Sequence, residues 1–196
     1  MPNTTERRRG GPVFLTLLSM VSTVVMGAFA LLLAYVLRRE NLWHEFSLSA
    51  HGAGLAAAGA ALAFLLAGGL YVLWPGLRAV TNRVAVTLVD TALDKGGWTL
   101  LALTTLVPPL GEEMLFRGAL QPSLGLWLAS VLFGLAHGGW RRDTWPYAVS
   151  AGISGVVVGG VFLQTGSLAA SALTHIFYNA AVTVFMARRW WPFLGT

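Results

Sequence analysis

From Val13 to Leu37 the chain carries no charged residue. Arginines close that run at both ends, Arg7, Arg8 and Arg9 before it and Arg38 and Arg39 after it. A transmembrane helix needs about 20 mostly apolar residues, and this run supplies them. Long, mostly apolar runs recur at Gly52–Trp74, Trp98 to about Gln121, Ser123–Trp140, Trp145–Gln164 and Ser167–Ala187. Between such runs there is little left with which to meet water. Only 11% of residues are charged, against roughly 25% in an ordinary soluble domain. That excludes a soluble enzyme, a nucleic-acid-binding module and a disordered chain. The net charge of +5 does not restore a nucleic-acid partner. Lys and Arg sit in short clusters between apolar runs, as membrane proteins distribute them, and do not form one basic face. With no cysteine, a disulfide framework, a thiolate metal site and a cysteine nucleophile are excluded as well.

The start has the look of a secretion signal, with a cleavage-like Ala28-Phe29-Ala30. However, the apolar run continues through Leu31-Leu32-Leu33 to the second arginine pair, too long for a signal's apolar core. It reads as an anchor that stays. The stretch Leu77–Asp94 is less apolar. Arg83, Thr87, Asp90 and Asp94 fall on one helical face and Val80, Val84 and Leu88 on another, the pattern of a helix lying in the membrane interface. The fold class predicted is therefore all-α: a polytopic membrane helix bundle of about six transmembrane helices plus one amphipathic helix. It forms a single domain, with a two-span region and amphipathic helix over 1–97, a core of four membrane helices over 98–187 and a short tail over 188–196.

Six spans put Arg7, Arg8, Arg9, Arg78, Arg83, Lys95, Arg141, Arg142, Arg188 and Arg189 on one side, facing Arg38, Arg39 and Arg117 on the other. The excess predicts cytoplasmic termini. Several of the eight tryptophans stand at span ends, as an interfacial aromatic belt requires. Gly155 and Gly159 have a spacing that lets helices approach closely, in a dimer or within the monomer. His44 and His51 read as solvated loop residues. Arg141-Arg142 serves topology or meets anionic headgroups.

A charge at the centre of a span costs about 2.5–3.5 kcal/mol, yet the third span holds Gly111-Glu-Glu-Met-Leu-Phe-Arg-Gly118. Glu113 and Arg117, at i and i+4, can pair within the helix. That leaves Glu112 unpartnered, about 100° around the axis. Pro108-Pro109 fits the first turn of a new helical segment, which would place both glutamates near its positive end. His137 lies in the fourth span. His175 and Asn179, at i and i+4, share a face of the sixth.

At about 1.5 Å per residue, Glu112 lies about 15 Å from one membrane face, His137 about 22 Å, His175 about 12 Å and Asn179 about 18 Å, taking a turn near Pro122. All four then fall inside a hydrocarbon core roughly 30 Å thick, which points to a polar cavity within the bundle. A carboxylate and an imidazole sharing a water make a general-base pair. A second histidine and an amide can donate to an oxyanion. Such a set can hydrolyse an amide without a protein nucleophile. The same residues could hold zinc, although the His-Glu-x-x-His spacing of metalloproteases is absent. A non-enzymatic scaffold or chaperone would also retain a polar core.

Glu112-Glu113-x-x-x-Arg117, Phe133-x-x-x-His137 and His175-x-x-x-Asn179, in this order on successive apolar segments, resemble the CAAX protease and bacteriocin-processing (CPBP, or ABI) family of intramembrane endopeptidases. That family includes the type II CAAX prenyl endopeptidases. The resemblance covers about Trp98 to Ala187. It implies a glutamic-type hydrolase without a metal or cofactor, with Glu112 activating water together with His137. His175 and Asn179 would stabilise the oxyanion, and Glu113 and Arg117 would support them. It implies a protein or peptide substrate, membrane-associated or lipidated. The chain is shorter than the eight-span eukaryotic prenyl enzymes, which favours a prokaryotic homologue in the inner membrane over an enzyme of prenylated substrates.

Overall fold

A computed structural model describes residues 12–38 and 42–190. The arginines before Pro12, Arg39 and the tail from Trp191 lie outside the described residues, as do the side chains of Arg38, His44 and Lys95. Among the described residues there is no strand. The helices are α1 (Pro12–Arg38), α2 (Ala50–Leu73), α3 (Pro75–Val84), α4 (Thr91–Leu106), α5 (Pro108–Glu113), α6 (Gln121–Gly134), α7 (Trp145–Thr165) and α8 (Leu168–Ala187). Wider π-helical turns cover Ala85–Asp90, Met114–Leu120 and Leu135–Gly139.

Five described helices are long and apolar enough to cross a membrane: Thr16–Leu37, Ala50–Leu73, Gly96–Gly139, Trp145–Thr165 and Leu168–Ala187. The third of these doubles back on itself. At Gly125 the backbone takes φ 78° and ψ 167°, a region essentially confined to glycine. Phe116 on one arm meets Phe133 on the other edge-on, with ring centroids 5.1 Å apart. These arms are the predicted third and fourth spans, so the chain is the polytopic helical bundle expected of an integral membrane protein. The reversal was expected near Pro122. Pro122 instead sits in the first turn of α6, where its missing N–H costs nothing, and the helix runs on to the glycine.

The stretch predicted to be amphipathic is helical from Pro75 until Gly97 (φ 64°) breaks it away from the third span. Leu77 and Val80 are buried, Val84 and Leu88 half-buried, and Arg83, Thr87 and Asp94 exposed. Asp90 faces the last turn of the bundle, accepting from Arg189 Nη2 at 2.8 and 2.9 Å. His51 does not lie in a loop. It stands exposed in the first turn of α2, which Ser49 caps by accepting from the Gly52 N–H at 3.0 Å.

Large apolar side chains face outward, and a polar cluster is buried beside a core of mostly small apolar residues. Phe14, Leu17, Val21, Val24, Val25 and Leu32 of α1 point outward, while Glu113, Arg117, Gln121, Ser171, Thr174 and His175 are buried. With lipid as solvent, packing of small residues and interhelical hydrogen bonds replace the hydrophobic effect between helices. Gly155 and Gly159 serve that packing. Both are buried inside the monomer, and a Cβ on Gly159 would stand 2.5 Å from Gln121 Oε1. This surface is therefore not free for the dimer contact that the motif also allowed.

Candidate active site

Three helices deliver the polar residues to one place. Pro108 and Pro109 open α5 as expected, following a mild break at Val107. The segment is short, however, so Glu112 and Glu113 fall at its end and not in its first turn. The helix dipole is therefore not what accommodates them; side-chain partners do that. Arg117 Nε donates to Glu113 Oε2 at 3.2 Å, with both residues essentially inaccessible. This is the expected i, i+4 pair, and it has a third member that spacing does not reveal. His175 Nδ1 donates to Glu113 Oε1 at 2.9 Å. Glu113 thus ties α5 to α8 while it neutralises the arginine.

One residue earlier, Glu112 points into a different environment and is partly accessible. Its Oε2 lies 3.9 Å from His137 Nε2 and 3.8 Å from His175 Nε2. Both separations exceed a hydrogen bond. His137 stands where the second arm of the hairpin unwinds, with Gly138 following at φ 101°. There its Nδ1 lies 2.8 Å from the carbonyl oxygen of Phe133. A carbonyl only accepts, so Nδ1 carries the proton. In the neutral ring Nε2, the atom facing Glu112, is then a bare acceptor. His175 is oriented by the same logic, with Glu113 as the acceptor.

Asn179, one turn beyond His175, donates from Nδ2 to the Thr105 carbonyl at 3.0 Å, which leaves its second N–H uncommitted. Phe133 packs among these groups. Its ring centroid is 4.4 Å from that of His137 and 5.6 Å from that of His175, and the Arg117 guanidinium lies 5.2 Å away. Phe133 is thus both an apolar wedge and, through its carbonyl, the group that orients His137.

Glu112, His137, His175 and Asn179 all line one cavity of about 260 Å³. That is ample room for several waters, since one needs only about 10–15 Å³ of such space. Thr104, Thr105, Ser150, Ser154, Tyr147 and Tyr178 also line it. These residues carry no spacing motif, and their arrival depends on α4, α7 and α8 packing together. Among the described residues no group of three or more His, Cys, Asp or Glu is arranged to hold a metal ion. Chemically the arrangement offers a carboxylate and an imidazole acceptor facing one another across a gap, with N–H donors beside them.

Residues 94–181, the segment holding all of these motifs, match the family described as type II CAAX prenyl endopeptidase Rce1-like. The resemblance read from the three motifs is borne out by this match, which covers the segment that holds them. The chain is also 34% identical over 76 residues to the uncharacterized protein YpbD of Bacillus subtilis (strain 168). That alignment spans 39% of this chain and 40% of the relative. No solved structure matches.

Proposed function

We propose that the chain is an intramembrane endopeptidase in which Glu112 and His137 activate a water. The observation that carries this reading is the position of Glu112 Oε2, 3.8–3.9 Å from the Nε2 atoms of histidines on two other segments, at the wall of a cavity. The carboxylate and the neutral Nε2 of His137 are both acceptors. A water between them gives one hydrogen to each and turns a lone pair toward a peptide carbonyl. As the oxygen–carbon bond forms, the water's proton passes to this pair, and the carbonyl electrons move onto oxygen. The proton then goes to the departing amine as the carbon–nitrogen bond breaks. Positioned acid–base groups of this kind contribute typically about 10²–10⁴-fold.

His175 and the free N–H of Asn179 stabilise the oxyanion. With Nδ1–H committed to Glu113, a donor at Nε2 makes His175 an imidazolium. Its charge and that of Arg117 then balance Glu112 and Glu113, leaving the buried cluster neutral. The substrate is a protein or peptide reaching the cavity from the membrane. The family match and the two-acceptor geometry both support this reading, and the excess of Lys and Arg on one side supports cytoplasmic termini.

The test is cleavage of a diverse peptide library by the full chain in liposomes. Wild type is expected to turn over. Glu112→Gln, which keeps shape but removes the base, is expected to lose at least about 10³-fold, and His137→Ala and His175→Ala to be inactive. Turnover retained by folded Glu112→Gln overturns the mechanism. Loss of activity on chelation, restored by zinc, would move the reading to a zinc protease. Cellular rescue by Glu112→Ala would favour a scaffold.

A further inference from the structure

The cavity does not end at the polar cluster. Its far wall is built by the interfacial helical stretch, through Leu77, Thr81, Val84, Leu88 and Val89. A helix lying on a bundle needs an apolar face to bury, and Leu77, Val80 and Val89 are buried, but between them Val84 and Leu88 border a void that Glu112, His137 and His175 also line. Val84 and Leu88 remain half-buried because they look into that space. The wider turn over Ala85–Asp90 adds to the effect. Leu88 and Val89, adjacent within it, both line the cavity.

The wall is also held as a separate piece. It hinges at Trp74 and at Gly97, and is tied by Tyr71 Oη to Asn82 Oδ1 (2.9 Å), by Arg83 Nη2 to the Asp143 carbonyl (3.0 Å) and by Asp90 to Arg189. Residues 75–90 all precede the matched segment, 94–181. Glu112, His137, His175 and Asn179 therefore come from the matched segment, and Leu77, Val84, Leu88 and Val89 from a part of this chain outside it.

Resting on the endopeptidase reading, we infer that Val84 and Leu88 form a specificity subsite of the same cavity, which takes an apolar side chain of the substrate and limits its size. In a hydrophobic pocket a methylene that fits or fails to fit changes kcat/KM by about 10–200-fold.

The experiment compares matched peptides that differ at one residue, Ala, Leu, Phe or Trp, on the full chain in liposomes. Val84→Phe narrows the subsite and is expected to lower the Phe-to-Ala ratio of kcat/KM by about 10-fold or more. Leu88→Ala widens it and is expected to raise the Trp-to-Ala ratio by a similar factor. Each result is a ratio on one enzyme preparation, so a loss of folded protein cancels. Should Val84→Phe not fold, the Leu88→Ala ratio decides alone. Ratios within about twofold of wild type overturn the subsite while leaving the endopeptidase intact. A wild type that cleaves no peptide, or a Glu112→Gln variant that cleaves normally, overturns the endopeptidase and the subsite with it.

Discussion

Glu112 and Glu113 are adjacent, yet their replacement by glutamine should produce opposite defects. Glu113 Oε2 accepts from Arg117 Nε at 3.2 Å in a site with no solvent access, and Nη1 and Nη2 of that arginine have no protein hydrogen-bond partner. Glu113→Gln therefore leaves a buried guanidinium without its counter-charge. Breaking a buried pair from one side costs about 3–5 kcal/mol. The amide oxygen of the new glutamine can still accept from His175, but without the carboxylate's charge that bond is weaker, which adds to the cost.

Removing both charges together, as Glu113→Gln with Arg117→Met, takes away the orphaned ion as well. The double variant should be more stable than Glu113→Gln alone, with a coupling of at least about 2 kcal/mol in a double-mutant cycle. Glu112 reaches its neighbours only at 3.8 and 3.9 Å, so Glu112→Gln should cost no more than about 1 kcal/mol while abolishing turnover. The assay is reversible unfolding in mixed micelles, read beside peptide cleavage on the same preparations. A Glu113→Gln cost below about 1 kcal/mol, or single costs that simply add in the double variant, would refute the electrostatic argument.

Two further outcomes follow from the packing and from the ring orientation. Gly159→Leu drives a side chain into Gln121 and Leu126 and should cost about 1–3 kcal/mol in the same unfolding assay. Gly160→Leu, one residue on with nothing within 4 Å of its Cβ, should lie within about 0.5 kcal/mol of wild type; equal effects would contradict the assigned α7 face. In ¹⁵N spectra of histidine-labelled protein, neutral His137 should show the proton on Nδ1, since Phe133 offers only an acceptor. A proton on Nε2 would remove the second acceptor from the proposed water site.

The fold was legible because lipid imposes long, charge-free helices, and their ends are marked by arginine and tryptophan. The amphipathic stretch was legible for the complementary reason, a charged face running along an apolar one. What escaped was any feature set by a single dihedral or a tertiary contact. Pro122 and Gly125 both interrupt a helical pattern, and the proline is the louder interruption. Yet a proline is tolerated in a first turn, and it is the glycine that allows the reversal.

Spacing likewise predicts that Glu113 can reach Arg117, because both lie on one helix. It contains nothing about His175, on a helix far along the chain, donating to the other oxygen. The position of Glu112 between two imidazoles was partly accessible through depth, since independent segments placed polar residues at similar levels. The Phe133 carbonyl that orients His137 was hidden, because backbone groups leave no mark in a sequence.

The bond from His175 to Glu113 also has a bearing on how the molecule is made. Glutamate, first histidine and second histidine emerge from the ribosome in that order, and the last arrives with α8 at the far end of the helical core. Until that helix enters the bundle and docks on Glu113, the carboxylate has its arginine but no imidazole, and the cavity lacks a wall. On the endopeptidase reading, the water-activating pair of Glu112 and His137 is made before the oxyanion donors are, and the site is complete only when α8 has packed against α5.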